Sequence, residues 1–342
     1  LRGRGARRWG AGLDHRGAAL MTTSLRVSVV IPAYNAAAFI DDALAGVAAQ
    51  TRPAHEVIVV DDGSTDDTSA RVRAWEGRTG STRLILLGGP NRGLSTSRNR
   101  GILAASGELV ALLDSDDYFL PRHLELLVPA FERAPDVVLA FSDMMRFAHG
   151  GEDRGSVLGA LREELAPIST PLGDDGMQLA GTALRRLYLM RAAIAPSVCI
   201  VSREAVAGSG LFDTTLPYGE DLDFLWRLLG IGRGAWLNAV TGRKRDHGSN
   251  ASGPARAEWS ERHLLRTIAQ LLRFGVGHTP DEVAALQRHL TLTLGETGWI
   301  ASGKGWQAYR AWRAEVLEWT GRAAPLPHRH LLRLLRRSLA GR

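Results

Sequence analysis

The chain has 342 residues, 45% of them hydrophobic and 23% charged, and a formal net charge of +6. Those proportions exclude a disordered or fibrous polypeptide and allow one large core or two smaller ones. Cys199 is the only cysteine, which excludes an internal disulfide framework and a cysteine-built zinc site and fits a reducing, cytoplasmic setting.

The positive charge is gathered at the ends, in Arg2, Arg4, Arg7, Arg8 and Arg16 and again in Arg329, Arg333, Arg336, Arg337 and Arg342, so the body between is slightly acidic. A nucleic-acid binder would carry its basic residues on a folded face among stacking aromatics, and no nucleic-acid partner is expected. Residues 1–22 are Gly/Arg-rich without a hydrophobic period, which predicts a disordered basic extension with Met21 marking a natural start.

From Leu25 onward short β-rich runs trade places with helical stretches. Strands are predicted over Leu25–Ile31, His55–Val60, Arg83–Leu87 and Glu108–Leu113. Helices are predicted over Ala36–Ala49, Asp66–Trp75 (capped by Ser64 or Thr65) and Ser95–Ala104. The alternation predicts an α/β fold, a mainly parallel sheet with helices on both faces, whose ligands sit beyond the carboxyl ends of the strands. A helix over 121–134 and a strand over Val137–Phe141 follow. The polar stretch Gly150–Gly176 reads as a mobile loop over the site. A strand at Val198–Ser202 and a helix at Glu220–Leu229 come next, and from Glu258 the chain reads as helical. The last of these helices, Leu331 to Arg337, has leucines at helical spacing with arginines between. It suits either peripheral contact with an anionic inner membrane face or packing on the body with its basic edge in water.

The chemistry lies where the strands stop. Pro32-Ala33-Tyr34-Asn35 sets an aromatic ring and an amide at the tip of the first strand, a surface turn unless the ring stacks on a base. Asp61-Asp62-Gly63-Ser64 ends the second strand with one carboxylate more than a turn requires, and Gly63 is suited to a positive φ. Asn91-Arg92-Gly93 and Arg98-Asn99 put basic and amide groups at a helix start, where anions are favoured. Asp114-Ser115-Asp116-Asp117 follows the fourth strand. Alternate residues there face one way, so Asp114 and Asp116 suit a hard divalent cation, Mg²⁺ or Mn²⁺, bridging two phosphates. Glu220, Asp221 and Asp223 crowd the first turn of a helix, more than its dipole asks for, and one of them suits a general base. His247 sits in a polar loop, as a metal or phosphate ligand or as an exposed side chain. There is no GxGxxG after the first strand, so a dinucleotide site has no fingerprint.

In this order the motifs from Pro32 to Asp221, five in all, resemble glycosyltransferase family 2, over about residues 25 to 252. The resemblance implies a GT-A (Rossmann-like) fold at 23–255 with a helical region at 256–342. It implies an inverting hexosyl transfer from a nucleotide-diphosphate sugar, UDP-linked by preference, to a glycan or lipid-linked acceptor in surface polysaccharide or glycolipid assembly. Carried over residue by residue, Tyr34 and Asp62 hold the nucleobase within a donor site that includes Pro32, Ala33, Asn35, Asn91, Arg98, Asp114 and Ser115. Asp116 and His247 ligate Mn²⁺ or Mg²⁺, Asp221 is the base and Glu220 orients the acceptor. Two rivals share the sheet: a sugar-nucleotide nucleotidyltransferase, which needs a basic Gly-rich loop where Pro32 to Ala37 stands, and a non-catalytic carbohydrate-binding protein.

Overall fold

Val27–Ala33 (β1) is buried at all seven positions, the signature of a strand covered on both faces. The computed structural model describes residues 24–148, 151–159, 161–181, 183–191, 194–247, 257–274 and 278–340. The expected N-terminal extension lies outside them. After β1 come Ile40–Ala48 (α1), Glu56–Asp61 (β2), Thr68–Arg73 (α2), Arg83–Leu87 (β3), Leu94–Ala104 (α3) and Leu109–Leu112 (β4). The pattern matches the predicted alternation, with boundaries moved by a few residues. The cap of α2 does not: Ser64 accepts from the Asn35 N–H, and Asp66 takes the Thr68 N–H instead.

The second half begins with Tyr118–Phe119 (β5), His123–Leu127 (α4), Pro129–Arg133 (α5) and Val137–Ala148 (β6). Asp153–Ser156 (β7), Leu161–Leu165 (α6), Ser169–Pro171 (β8), Met177–Ala180 (β9) and Ala183–Arg191 (α7) follow. Cys199–Ser202 (β10), Arg203–Ser209 (α8), Glu220–Leu228 (α9) and Arg233–Asp246 (β11) complete the sheet region. The sheet runs β3-β2-β1-β4-β10-β6-β11-β9-β8, with β5 paired to β11 and β7 to β6. β1 to β4 are mutually parallel, β10 is antiparallel to both β4 and β6, and β11 is parallel to β6. The mixed sheet is therefore mostly parallel. β1 to β4, β6 and β11 all end at one edge, and that edge receives Asp61, Asp114 to Asp117 and Asp246-His247 together.

Alternate residues of β1 feed opposite cores. Val30 joins Ile58, Val110 and the α9 residues Phe224 and Trp226 on one face, while Val29 and Ile31 join Ile40, Leu44 and Leu127 on the other. Helices thus cover both faces, as the alternation predicts.

Three expectations are corrected. The helix over 121–134 is broken into α4 and α5, with Pro129 at the start of the second. β6 is twelve residues long, not five, because β11 pairs along its whole length. β11 itself, fourteen residues, was not expected: its polar outer half is strand because β6, and at Gly242 and Arg243 also β5, supply partner backbone. In the stretch read as a mobile loop, the described residues form β7, α6, β8 and the turns between them. Buried Asp143 organises this segment, accepting from the Leu158 N–H at 2.9 Å and pairing with Ser156 and Arg162.

The predicted turn glycine is found. Gly63 has φ 78°, and a Cβ there would lie 2.8 Å from the Asn91 backbone nitrogen. Gly63→Ala should therefore cost about 1–3 kcal/mol and part β2 from the loop before α3. Urea unfolding of the variant measures the loss.

Beyond the sheet lie Ala257–Phe274 (α10), Pro280–Lys304 (α11), Trp306–Thr320 (α12) and His328–Ala340 (α13), the helical C-terminal region. They enclose a third core around Tyr309, Trp312, Val316 and Leu334. α11 opens with a full capping box, Thr279 and Glu282 each bonding the other's backbone N–H. At its far end Arg333 and Arg337 of α13 donate to the carbonyls of Trp299 and Gly303, and Arg333 also lies over the Trp299 ring at 4.1 Å. Those two arginines thus bond α11, where the packed reading of this helix had set its basic edge in water. No helix among the described residues is long and apolar enough to cross a membrane.

Candidate active site

The tips of β1 and β2 are fastened to each other. Asn35 adopts a left-handed φ of 49°, which asparagine tolerates, and its side-chain oxygen accepts the Thr65 N–H at 2.9 Å. Asp61 accepts from the Ser64 N–H and from Ser69, so it builds the turn. Asp62 reaches the next loop, one carboxylate oxygen accepting from Arg92 N at 2.9 Å and the other from Gly93 N at 2.8 Å. Pro32 and Ala33 are buried in β1, paired with Val60 and Asp61, whereas Tyr34 is 52% exposed just beyond the strand end. Asn91 is exposed on the loop that Asp62 organises.

Arg98 occupies a different place from the one its position at a helix start suggests. Its side chain is 3% exposed, with one guanidinium nitrogen 2.7 Å from Asp114 and another 2.8 Å from Glu220. The expectation of an arginine open to a diphosphate is corrected: two carboxylates crowded at the sheet edge need a buried cation, and the planar guanidinium serves both. Asn99 likewise belongs to the scaffold, bonding both the N–H and the C=O of Phe212 at 2.9 and 2.8 Å.

The acidic stretch after β4 divides its labour. Asp114 is held below the usual carboxylate range by Arg98, against the opposing pull of burial, with Lys244 adding to the effect. Ser115 is half-buried beside it. Asp116 faces His247, carboxylate oxygen to Nε2 at 3.0 Å, and the imidazole stacks on Phe39 with ring centroids 4.7 Å apart. Asp117 turns inward, accepting from Ser197 at 2.7 Å and the Arg245 N–H at 3.0 Å, and burial pushes it up to about 7.

α9 starts at Gly219, whose φ is 76°, and a Cβ there would lie 2.9 Å from the Thr267 hydroxyl. The same hydroxyl donates to the Tyr218 carbonyl at 2.9 Å, so α10 holds the turn that aims Glu220 and Asp221. Asp221 is pushed up to about 7, first by burial and then by the neighbouring Glu220, with Arg98 pulling the other way. A carboxylate titrating near neutrality beside a charged partner is suited to taking a proton.

Lys244, Ser197, Thr267 and Phe39 were not singled out from the sequence. Lys244 is the most informative of them, a half-buried ammonium 3.8 Å from Asp117. The run Arg243-Lys244-Arg245 directly before Asp246-His247 was its signal, visible only once β11 is known to end at the same edge.

Among the described residues no three His, Cys, Asp or Glu side chains form a set that could hold a metal ion by themselves. The Asp116–His247 pair supplies one hard oxygen and one imidazole nitrogen at close range. That donor set fits an ion that takes the rest of its ligands from substrate phosphates, as Mg²⁺ and Mn²⁺ commonly do.

Residues 28–165 match the family model "Glycosyl transferase family 2". The succinoglycan biosynthesis protein ExoU of Rhizobium meliloti is 33% identical over 211 residues, which cover 60% of this chain and 57% of that protein. The chain spans about half the length of the curated relatives it matches. Among solved structures, Staphylococcus aureus TarS is similar over 90% of this chain and 50% of its own, at 19% identity and a TM-score of 0.60. The mannosyltransferase PcManGT from Pyrobaculum calidifontis, in complex with GDP-Man and Mn²⁺, is similar over 94% of this chain and 82% of its own, at 20% identity and a TM-score of 0.56. At these identities the two structures speak for the fold, the mixed GT-A-like sheet with its helices.

Proposed function

Because residues 28–165 match the glycosyl transferase family 2 model, we propose that the chain moves a sugar from a nucleotide-diphosphate sugar to an acceptor hydroxyl with inversion at the anomeric carbon. One observation carries the reading: Arg98 ties Asp114, on the strand edge, to Glu220, beside a carboxylate that titrates near neutrality. Donor side and acceptor side thereby share one buried cation.

In this proposal Tyr34 stacks on the nucleobase, and Asp62, whose two oxygens each keep a free lone-pair direction beyond the Arg92 and Gly93 N–H groups, accepts from an imide N–H. That contact favours uridine. Asn91, Asp114 and Ser115 line the ribose and donor sugar. Asp116 and His247 would hold Mn²⁺ or Mg²⁺, which supplies the positive charge that a departing nucleoside diphosphate requires. Lys244, half-buried behind the acidic stretch, adds a positive charge. Glu220 orients the acceptor, and Asp221 takes the hydroxyl proton as the acceptor oxygen attacks from the face opposite the leaving group. The relatives' part in polysaccharide assembly supports a growing glycan or a lipid-linked saccharide as acceptor.

The experiment is a thermal-shift series with UDP, GDP and TDP, each with and without Mn²⁺, alongside release of UDP from UDP-sugars. With only two protein ligands, Mn²⁺ alone should move the unfolding midpoint little. UDP and Mn²⁺ together at a hundred times the dissociation constant should stabilise by about 2.7 kcal/mol. Equal shifts for all three nucleotides would remove Asp62 as the uridine reader, and no Mn²⁺-dependent release of UDP would remove the transferase reading.

A further inference from the structure

The helical C-terminal region carries an open cleft that the sheet-edge site does not use. Its volume is about 360 Å³, within the range of small-molecule sites, and α10, α12 and the last residue of α11 line it. Three rings form its apolar part. Trp259 and His263 lie with centroids 4.3 Å apart, and Trp319 is 6.2 Å from His263. Trp259 is 39% exposed, a large ring left facing solvent on a helix whose other apolar side chains Leu265, Ile268 and Leu271 are buried.

The polar part consists of two ion pairs, Arg262 with Glu315 at 2.5 Å and Lys304 with Glu258 at 2.6 Å. Two cations and two anions leave the rim electrically balanced, which disfavours a strongly charged ligand such as a diphosphate. The same groups disfavour an aliphatic chain, which would strip water from four charges without replacing it. A ligand that offers a flat C–H face to an aromatic ring and a ring of hydroxyls to both donors and acceptors satisfies the whole lining. That description is a pyranose.

The cleft also touches the chemistry. Trp259 packs edge-on against Tyr218 at 5.8 Å, and Tyr218 is held by Thr267 at the start of the turn that presents Glu220 and Asp221. Resting on the glycosyltransferase reading, we infer that this cleft is an acceptor subsite, which binds a sugar ring of the acceptor glycan away from the hydroxyl that reacts. The α10–α12 face then selects the acceptor while the sheet edge selects the donor.

Saturation-transfer NMR on the full chain with cellotetraose, maltotetraose and chitotetraose tests this. At least one tetrasaccharide should bind with saturation strongest on its ring protons. Trp259→Ala and Trp319→Ala should each weaken it at least about tenfold, while Trp319→Phe, which keeps an aromatic face, should retain most of the binding. Mn²⁺-dependent release of UDP from UDP-sugars by the unaltered protein is measured in parallel. If UDP is released but none of the three saccharides binds, or the alanine variants bind as the unaltered protein does, the subsite is overturned and the transferase reading stands. If no UDP is released, the transferase reading falls and takes the subsite with it.

Discussion

Asp221→Asn should lower sugar transfer by about 10²–10⁴-fold while leaving the UDP- and Mn²⁺-dependent thermal shift in place, since the amide cannot take the acceptor proton. The pH profile gives the sharper check. Burial and Glu220 raise the Asp221 pKa to about 7, so below that value the carboxyl is protonated and has no base to offer. The rate at limiting acceptor should therefore climb as pH rises through about 7 and then level, and this limb should vanish in Asp221→Asn. Stability should move the opposite way. A carboxyl whose folded pKa is raised favours the native state below the ordinary value and loses that contribution as pH rises toward about 7. At pH 8 Asp221→Asn should consequently melt higher than the parent, by roughly 1–3 °C in calorimetry. Full transfer activity in the variant would end the assignment of Asp221 as base.

Removing the cation at the centre of the site should be worse than removing the base. Arg98→Met leaves the half-buried Asp114 and Glu220 without the guanidinium between them, at a cost of up to about 3–5 kcal/mol, the figure for a fully buried pair, and chemical denaturation should show it. Arg98→Lys is not a conservative exchange, because an ammonium on a flexible stem cannot present two nitrogens to carboxylates that lie 2.7 and 2.8 Å from the guanidinium. Transfer in that variant should fall about a hundredfold, the usual consequence of a displacement near 1 Å in a positioned site. Adding Glu220→Gln to Arg98→Met should recover part of the lost stability, since one unpaired charge is gone, and a double-mutant cycle reads that coupling. The parent's own acid sensitivity follows from the same pair. Asp114 has a lowered pKa, so its contribution is present above the ordinary carboxylate range and disappears as pH falls through the lowered value.

The parallel half of the sheet was legible because its information is local. β1 to β4 are apolar runs closed by turn residues, and each helix between them returns the chain to the same edge. That periodicity places Asp62, Asp114 and Asp116 on one edge without any knowledge of long-range contacts. β11 was not legible, because Arg233–Asp246 is polar along its outer half and becomes strand through pairing with β6, nearly a hundred residues earlier. For the same reason Lys244 escaped notice while His247, the first residue past the strand, did not. Arg98 shows a different limit. Its position at a helix start suggests an anion site, yet what it meets depends on where α9 lands, and nothing near residue 98 encodes that. The segment at Gly150–Gly176 was misread since its order rests on one buried carboxylate, Asp143, which lies just outside it at the centre of β6 and bonds Ser156, Leu158 and Arg162.

The reversed course of β10 between β4 and β6 has a consequence for how such a protein can diversify. A strand running against its neighbours brings its beginning, not its finish, to the catalytic margin, and Ser197 arrives there to clasp Asp117. The stretch from β7 to α7 is thus an arc whose two ends are pinned at that margin by β6 and β10. Its buried side chains Leu161, Leu165 and Leu184 share a core with Val30 and Ile58, so change without cost to the parallel strands is confined to its exposed positions. A lineage could edit the exposed part of that arc and inherit the parallel strands unchanged.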